Sequence, residues 1–292
     1  MLAYLNNDLV PVEQARVSVL DRGFLYGDAI FETVAAYAGT CFRLDRHIAR
    51  FLRSAELLEI TPPYSAQDMA QRLNHCLQRN GLTDAVLRFS LSRGRSARGL
   101  DVRGCVDPTF VILCFPARPY PRKLLTQGAV ATLASIRRIP ATALPPLAKT
   151  ANYLNGILAF REATERGANE AFMLTTTDAL AEGTVSNVFL VHDGMLQTPS
   201  LETGIIAGIT REAVLEVVDD LAIPIHEGIL SAAELETADE VFYTNTSATI
   251  MPVGRIDQRR YSPQGPVTTR LRKGLHALIE REAGPCWAFA NR

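Results

Sequence analysis

Residues 180–191 read LAEGTVSNVFLV, and the two apolar runs in this stretch decide how the chain around them folds. A short apolar strand ends in the small polar residues 183–187, and a second apolar strand follows at 188–191. Glu182 therefore lies where a predicted strand meets a turn. A glutamate in this position either faces water or is held for a chemical task, and the stretch alone leaves both interpretations open.

The segment 205–211, which reads IIAGITR, predicts a place where an anion can bind. It combines an apolar strand end, a glycine turn and the start of a helix. The N–H groups of a first helical turn, together with the Thr210 hydroxyl, can hold a phosphate. The alternative is a plain strand-to-helix turn that Thr210 caps. Residues 244–248, TNTSA, end another strand with hydroxyls that either bind phosphate or close a turn.

Upstream, Lys149 ends the apolar approach PPLAK at residues 145–149, just before a predicted helix. A lysine amine in apolar surroundings can attack a carbonyl group. The alternative is an ordinary solvated lysine at a helix start. Lys149 is thus a candidate whose meaning depends on its companions.

The chain mixes strands and helices without a regular βαβ repeat, which favours an α+β fold. Strand patterns cover 29–37, 86–92, 109–115, 129–136, 170–174, 188–191 and 240–244. Helical spacing covers 44–58, 65–79, 152–166, a stretch from 208 onward, and 267–281. The first of these helices carries His47, Arg50 and Arg53 on or beside its flanks.

The proline-rich stretch 116–122 predicts a domain boundary, because its three prolines can neither extend a helix nor occupy a central strand. We therefore expect an N-terminal α+β domain at 1–117, an interdomain linker at 118–127 and a C-terminal α+β domain at 128–292.

Composition argues against several classes of protein. A net charge of -1 provides no long-range field to attract a polyanion, so we expect no nucleic-acid partner. The five cysteines are scattered without a Cys-x-x-Cys pairing, so we expect reduced thiols in a cytoplasmic protein and no metal site. The chain lacks a signal-peptide pattern and a run of roughly 20 apolar residues, so we expect no membrane association.

Five ordered segments together resemble one family, the class IV (fold type IV) enzymes that use pyridoxal 5'-phosphate (PLP). The segments are DRGFLYGDAIFET at 21–33, RLDRHIAR at 43–50, KTANYL at 149–154, EGTVSN at 182–187, and TPSL through GITR at 198–211. The family includes branched-chain aminotransferases, D-amino acid aminotransferases and aminodeoxychorismate lyase. The resemblance spans nearly the whole chain.

The resemblance implies a two-domain, D-amino acid aminotransferase-like subunit, usually a homodimer, with the cofactor between the domains. By motif position, Lys149 would carry PLP as a Schiff base and act as general acid and base, and Glu182 would pair with the pyridine nitrogen. The other implied cofactor-binding residues are Arg50, Tyr153, Ser186, Asn187, Gly208, Ile209, Thr210 and Thr246. Tyr153 is alternatively an ordinary core aromatic. The implied substrate-binding residues are Phe31, Arg88, Arg98 and Ser247.

Two departures leave the substrate open. The branched-chain members resemble one another in a Tyr-x-Arg, which here reads Val86-Leu87-Arg88 without the tyrosine. The D-amino acid members carry an Arg-Gly-x-x-x-Arg-x-His loop, and residues 93–100 keep its arginines but end in leucine. The same loop is also similar to that of the lyase members. Arg88 and Arg98 are both candidates for binding a substrate carboxylate.

The favoured hypothesis is a transaminase that moves an amino group between a small amino acid, of the D-amino acid or branched-chain type, and a 2-oxo acid. Aminodeoxychorismate lyase, which releases pyruvate and leaves 4-aminobenzoate, is the alternative enzyme. A protein without enzymatic activity, either a PLP carrier or a relative without the cofactor, is a third hypothesis, which the presence of both Lys149 and Glu182 disfavours.

Overall fold

A computed structural model describes residues 1–96 and 99–289, with only the backbone at residue 289. The described chain divides into two compact units. The first unit comprises Met1–Arg118, Ala148–Asn152 and Glu282–Trp287. The second comprises Pro119–Leu147, Tyr153–Arg281 and residues 288–289.

The first unit is built on an antiparallel sheet with the strand order β2-β1-β6-β5-β3-β4. Its strands are β1 (Leu2–Leu5), β2 (Asp8–Pro11), β3 (Ala29–Tyr37), β4 (Thr40–Cys41), β5 (Ala85–Ser92) and β6 (Phe110–Pro116). Its helices are α1 (Arg22–Tyr26), α2 (Leu44–Leu57) and α3 (Ala66–Arg79).

Strand β5 shows why this sheet has one core face. Its residues alternate between buried and half-buried from Ala85 to Leu91, because successive side chains of a strand point to opposite faces. Leu87 and Phe89 pack into the core with α2 and α3, whereas Arg88 points to the other face. Helix α3 starts at a capping box formed by Ser65 and Asp68, which satisfies its first N–H groups.

The segment 148–152 runs beside β3 and extends this sheet by a short antiparallel contact. The Phe31 N–H donates to the Lys149 carbonyl at 3.0 Å, and the Ala151 N–H donates to the Ala29 carbonyl at 2.7 Å. An isolated bridge joins Ile30 and Thr150. These contacts place Lys149 next to a largely buried strand of the first unit.

The second unit contains a mixed sheet with the order β12-β11-β10-β13-β14-β7-β8-β9, and β15 pairs with β14. Its strands are β7 (Ala129–Leu133), β8 (Glu170–Leu174), β9 (Leu180–Gly183), β10 (Asn187–His192), β11 (Met195–Pro199), β12 (Ile225–Gly228), β13 (Glu240–Asn245), β14 (Thr249–Ile256) and β15 (Arg259–Arg260). Its helices are α4 (Arg122–Gln127), α5 (Leu154–Glu165), α6 (Ile209–Asp220), α7 (Ala233–Thr237) and α8 (Pro266–Glu282).

The central strands of this sheet carry apolar side chains on both faces. Phe172, Val188 and Met251 belong to the main core cluster, and Ala159 of α5 packs with Ala171 in a smaller one. A strand that is buried on both faces reads as a continuous apolar run, which is why 170–174 and 188–191 are conspicuous in the sequence.

The structure divides the chain differently in detail from the expected domain boundaries. Residues 122–127, expected within a linker, form α4, whose Leu124 and Leu125 pack on the core of the second unit. Residues 148–152 and 282–287 are grouped with the first unit rather than with the second. Within the described ranges, no helix is both long and apolar enough to cross a membrane.

Candidate active site

Lys149 is held on both sides by hydrogen bonds of its own backbone. Its N–H donates to the Ser54 hydroxyl at 3.0 Å, and its carbonyl accepts from the Phe31 N–H. The residue is half-buried, and Nζ lies 4.3 Å from the centroid of the Phe31 ring. The interpretation of Lys149 as a solvated lysine at a helix start is therefore wrong, and α5 begins only at Leu154.

A second cation contacts the same aromatic ring. The Arg88 guanidinium carbon lies 3.6 Å from the Phe31 centroid, within the range of a cation–π contact. Phe31 itself is buried, at 4% exposure. The structure thus brings together three residues that the sequence nominates, with Phe31 supporting both Lys149 and Arg88.

Arg50 is bound to a carboxylate that sequence reasoning missed. Its Nε and Nη2 donate to the two oxygens of Glu32 at 2.6 and 2.8 Å, and His47 Nδ1 lies 2.9 Å from Glu32 Oε2. Glu32 is fully buried in β3. The expectation that His47 lies on or beside a helix flank is wrong, because this side chain is turned inward to Glu32 and is 3% exposed.

The neighbouring charges and burial shift the pKa values of both Glu32 and His47. Burial raises the pKa of Glu32, but the Arg50 charge and the hydrogen bonds from His47 and Arg50 outweigh it and hold the pKa at about 2. Burial lowers the pKa of His47 more than its bond to Glu32 raises it. A carboxylate can only accept hydrogen bonds, so His47 donates through Nδ1.

Ser54 joins this cluster to the candidate lysine. Its hydroxyl donates to the Arg50 carbonyl at 2.9 Å and accepts from the Lys149 N–H. One helix, α2, therefore positions both the Arg50 guanidinium and the backbone of Lys149.

The arginines at the start of the basic loop serve structural contacts. Arg93 donates to the Asp28 carboxylate at 2.9 and 3.1 Å. It also donates to the carbonyls of Leu58 and Glu59. Arg95 forms an ion pair with Asp107. Arg98 lies outside the described residues, so its carboxylate role stays a prediction.

In the second unit, Glu182 accepts hydrogen bonds at both of its carboxylate oxygens. Arg138 Nε donates to Oε1 at 2.6 Å, and the Ile206 N–H donates to Oε2 at 3.0 Å. Glu182 belongs to β9 and is 6% exposed. The interpretation of Glu182 as a turn glutamate facing water is therefore wrong.

The loop that follows Glu182 is fixed by another buried carboxylate. Glu170 accepts from the Thr184 N–H at 3.0 Å, from the Thr184 hydroxyl at 2.5 Å and from the Ser186 hydroxyl at 2.8 Å. The Ser186 side chain is thus engaged within the protein, and its cofactor role stays a prediction.

The N-cap of α6 is Gly208, so the alternative that Thr210 caps this helix is wrong. Among the described residues no side chain caps its first turn, which leaves N–H groups of Ile209 and Thr210 suited to an anion. The Asn187 amide donates to the Ile206 carbonyl at 2.9 Å and fixes the approach to this helix. A Cβ on Gly208 would lie 2.1 Å from Asn187 Oδ1, so a larger residue there would displace the Asn187 side chain.

The turn after β13 is closed by its own first side chain. Asn245 Oδ1 accepts from the N–H groups of Ser247 and Ala248 at 3.0 and 2.8 Å. The Thr244 hydroxyl is buried without a hydrogen-bond partner in the described part of the chain. Such a hydroxyl calls for a polar ligand or water, as a phosphate-binding turn requires.

Tyr153 is half-buried, which does not match an ordinary core aromatic.

The family model for amino-transferase class IV matches residues 29–256. The chain belongs to the class IV aminotransferase family. This class IV aminotransferase is 40% identical over 275 residues, 94% of both chains, to the putative branched-chain-amino-acid aminotransferase of Methanocaldococcus jannaschii. It is 33% identical to the aminodeoxychorismate lyase of Bacillus subtilis over 293 residues, 98% of this chain and 99% of the other.

A solved structure shares the architecture of this chain. The branched-chain amino acid aminotransferase of T.th., solved with pyridoxamine 5'-phosphate, superimposes with a TM-score of 0.91 at 31% identity, covering 98% of this chain and 95% of that one. The expected family, its α+β fold and its PLP-dependent transaminase class are confirmed.

Sequence reasoning missed Glu32 and Arg138 in this class IV aminotransferase, although each left a signal. Glu32 is the single charge in the apolar run 29–37, which indicates a buried carboxylate in need of a partner. Arg138 is one of two adjacent arginines before a proline-rich approach. Nothing in the sequence indicates which of these two reaches Glu182.

Proposed function

We propose that this class IV aminotransferase holds PLP covalently on Lys149 and moves an amino group between a small amino acid, of the branched-chain or D-amino acid type, and a 2-oxo acid. The observation that carries the proposal is the placement of Lys149, a half-buried lysine whose backbone is bonded on both sides and whose Nζ rests on Phe31. An amine that reacts at one fixed point needs such a support.

Each unit by itself offers donor groups that match a part of a phosphorylated pyridine aldehyde. Lys149 offers the amine, α6 offers N–H groups without a side-chain cap, and Glu182 offers a buried carboxylate. When bound, PLP supplies a ring that withdraws electrons from the reacting carbon of the substrate. Glu182 would hold a proton on the pyridine nitrogen, and Lys149 Nζ would take the proton from the substrate carbon and deliver it to the cofactor carbon that carried the aldehyde.

Arg50, Thr246 and the start of α6 would hold the phosphate. The two contacts that Glu32 makes with Arg50 orient the guanidinium, whose planar fork matches a phosphate. Gly208 and Asn187 shape the approach to Ile209 and Thr210, and the Asn245 side chain sets the turn that carries Thr246.

The substrate carboxylate would pair with Arg98 or Arg88, because an unpaired buried charge costs several kcal/mol. Phe31 and Ser247 complete the proposed substrate residues. Arg88 has the support of a place on the same ring as Lys149. Val86, in place of a tyrosine, leaves no hydroxyl at that position and favours activity with more than one amino acid.

The chain contains three lysines, Lys123, Lys149 and Lys273, which makes the covalent link easy to locate. The protein loaded with PLP should be yellow, and borohydride reduction followed by peptide mass spectrometry should place the pyridoxyl group on Lys149. Lys149→Ala should abolish colour and turnover, while Lys123→Ala and Lys273→Ala, which change exposed residues, should keep both. A pyridoxyl group on either control lysine would contradict the assignment.

A panel of D- and L-amino acids with one 2-oxo acid acceptor, assayed beside aminodeoxychorismate, tests the reaction. We expect transfer from several amino acids. The similarity to the Bacillus subtilis lyase makes the second arm necessary. Release of pyruvate from aminodeoxychorismate without transfer from any amino acid would replace the transaminase by the lyase.

We also propose a homodimer that acts in the cytoplasm. Apolar side chains of both units are exposed in the single chain, as a second copy would require. The five cysteines are all free thiols, as in a reducing compartment.

A further inference from the structure

Arg138 is the residue whose role the proposed function leaves open. Its Nε lies 2.6 Å from Glu182 Oε1, and both side chains are largely buried, at 17% and 9% exposure. From this geometry we propose that Arg138 is a positioning residue, which acts through Glu182 to aim the carboxylate at the pyridine nitrogen. The inference rests on the proposed role of Glu182.

The backbone of Arg138 is fixed before its side chain makes this contact. Its N–H donates to the Leu174 carbonyl at 2.8 Å, at the end of β8. Strand β8 pairs with β9, which carries Glu182. Both residues are therefore tied to the β8–β9 hairpin, Arg138 by its backbone and Glu182 as part of β9.

The donors at the two oxygens of Glu182 come from different segments. Arg138 bonds to Oε1, and the Ile206 N–H bonds to Oε2. The Ile206 carbonyl in turn accepts from the Asn187 amide, and Gly208, the N-cap of α6, lies two residues further along the chain. The backbone of Ile206 thus connects the carboxylate for the ring nitrogen to the helix start for the phosphate.

This arrangement gives Arg138 two effects on Glu182. An arginine stays protonated, so it gives the neighbouring carboxylate a positively charged partner while the carboxylate accepts a hydrogen bond from the ring nitrogen. Its charge-assisted hydrogen bond also restricts the rotation of the carboxylate beyond what the Ile206 contact achieves. Loss of Arg138 should therefore weaken both cofactor binding and the pyridine contact.

The adjacent arginine provides a matched control. Arg137 pairs with Asp178, and both of these side chains are solvent-exposed, at 40% and 71%. Arg137→Gln makes the same chemical change one position away, where a surface ion pair contributes little. Arg138→Gln and Arg137→Gln are then compared for the PLP dissociation constant, the visible absorbance as a function of pH, and kcat.

We expect Arg138→Gln to raise the PLP dissociation constant by about tenfold or more, as the loss of a charge-assisted bond implies, and to shift the pH dependence of the absorbance. Arg137→Gln should change neither. Arg138→Lys, which keeps the charge but not the planar fork, should recover part of the loss and serves if Arg138→Gln folds poorly.

A double-mutant cycle with Glu182→Gln separates positioning from a general structural role. If Arg138 acts through Glu182, then Arg138→Gln adds almost nothing in the Glu182→Gln background. Additive effects of the two substitutions in the cycle would overturn this inference alone. The same holds if the wild type binds PLP and Arg138→Gln has the same PLP dissociation constant and absorbance profile as Arg137→Gln. A wild type that takes up no PLP would overturn the proposed function and this inference with it.

Discussion

Glu32 joins strand β3 to helix α2 in the first unit through its contacts with Arg50 and His47. A fully buried carboxylate is stable only when it is paired, and here Arg50 supplies two bonds and His47 a third. The same contacts orient Arg50, the residue proposed to bind phosphate. Removing one partner of such a pair leaves the other charge buried and unpaired, which typically costs about 3–5 kcal/mol.

We predict that Glu32 makes the protein sensitive to acid. Its folded pKa of about 2 lies below the ordinary value of 4.5, so its stabilisation is complete above pH 4.5 and is lost as the pH falls toward 2. One pKa unit corresponds to about 1.4 kcal/mol, so the carboxylate contributes about 3 kcal/mol across this window. Denaturant unfolding of the apoprotein at a series of pH values measures it.

Glu32→Gln tests this assignment directly. The variant should unfold at lower denaturant at pH 7 and lose less stability than the wild type between pH 4.5 and 2. Glu56→Gln, an exposed substitution on α2, is the control and should follow the wild type. A Glu32→Gln profile parallel to that of the wild type would contradict the proposed linkage.

At this scale the sequence identified the residues whose neighbours are close in sequence. Lys149, Glu182 and Gly208 stand out because each marks the junction of an apolar run with a turn or helix start. Sequence reasoning did not identify partners such as Arg138. This residue is 44 positions from Glu182, and the contact exists only once β8 and β9 pair. A long-range pair leaves no local spacing to recognise.

Among the elements, α8 depends on a carboxylate from outside the helix. Glu240, at the start of β13, accepts from the N–H groups of Val267 and Thr268 at 3.1 and 2.7 Å. Glu240 is 3% exposed, so these N–H groups lie away from water. It satisfies two of the N–H groups that the start of a helix leaves unpaired.

We predict that Glu240→Ala destabilises the second unit by about 2–6 kcal/mol, because each of the two buried N–H groups left without a partner costs roughly 1–3 kcal/mol. Glu240→Gln should lose less, since its amide oxygen can still accept one bond. Glu236→Ala, which removes an exposed glutamate from α7, is the control. Thermal unfolding of the three variants measures the effect, and equal midpoints would refute the capping role.

Periodicity predicted the long elements well. Strand β3 spans Ala29–Tyr37 as its apolar run predicts, and α3 ends at Arg79 as expected. The sequence did not predict helix α4, because Pro119 and Pro121 precede it and its six residues are too few to show a clear helical period. The placement of 148–152 beside β3 depends on backbone hydrogen bonds, which any sequence can form.

At the scale of the whole molecule, apolar side chains that are exposed in the single chain support the proposed homodimer. In the first unit, Val19 and Phe24 are 71% and 70% exposed. In the second, Leu154, Ile157 and Phe160 line one side of α5 at three-residue spacing, with Leu154 66% exposed. Exposed apolar patches of this kind often mark interaction surfaces, because burying them against a partner removes apolar area from water.

We predict that the wild type sediments as a dimer and that Phe24→Glu and Ile157→Glu each shift it toward monomer, because a carboxylate in an apolar interface loses its hydration without gaining a partner. Met195→Glu changes an exposed methionine near the β10–β11 turn and is the control. Analytical ultracentrifugation over a range of concentrations measures the dissociation constant of each. A stable interface of this class buries at least about 1,000 Å², so a single buried charge should weaken it by about tenfold or more without unfolding either unit. A wild type that stays monomeric at every concentration would contradict the homodimer. A dimer unaffected by both substitutions would assign its interface to another surface.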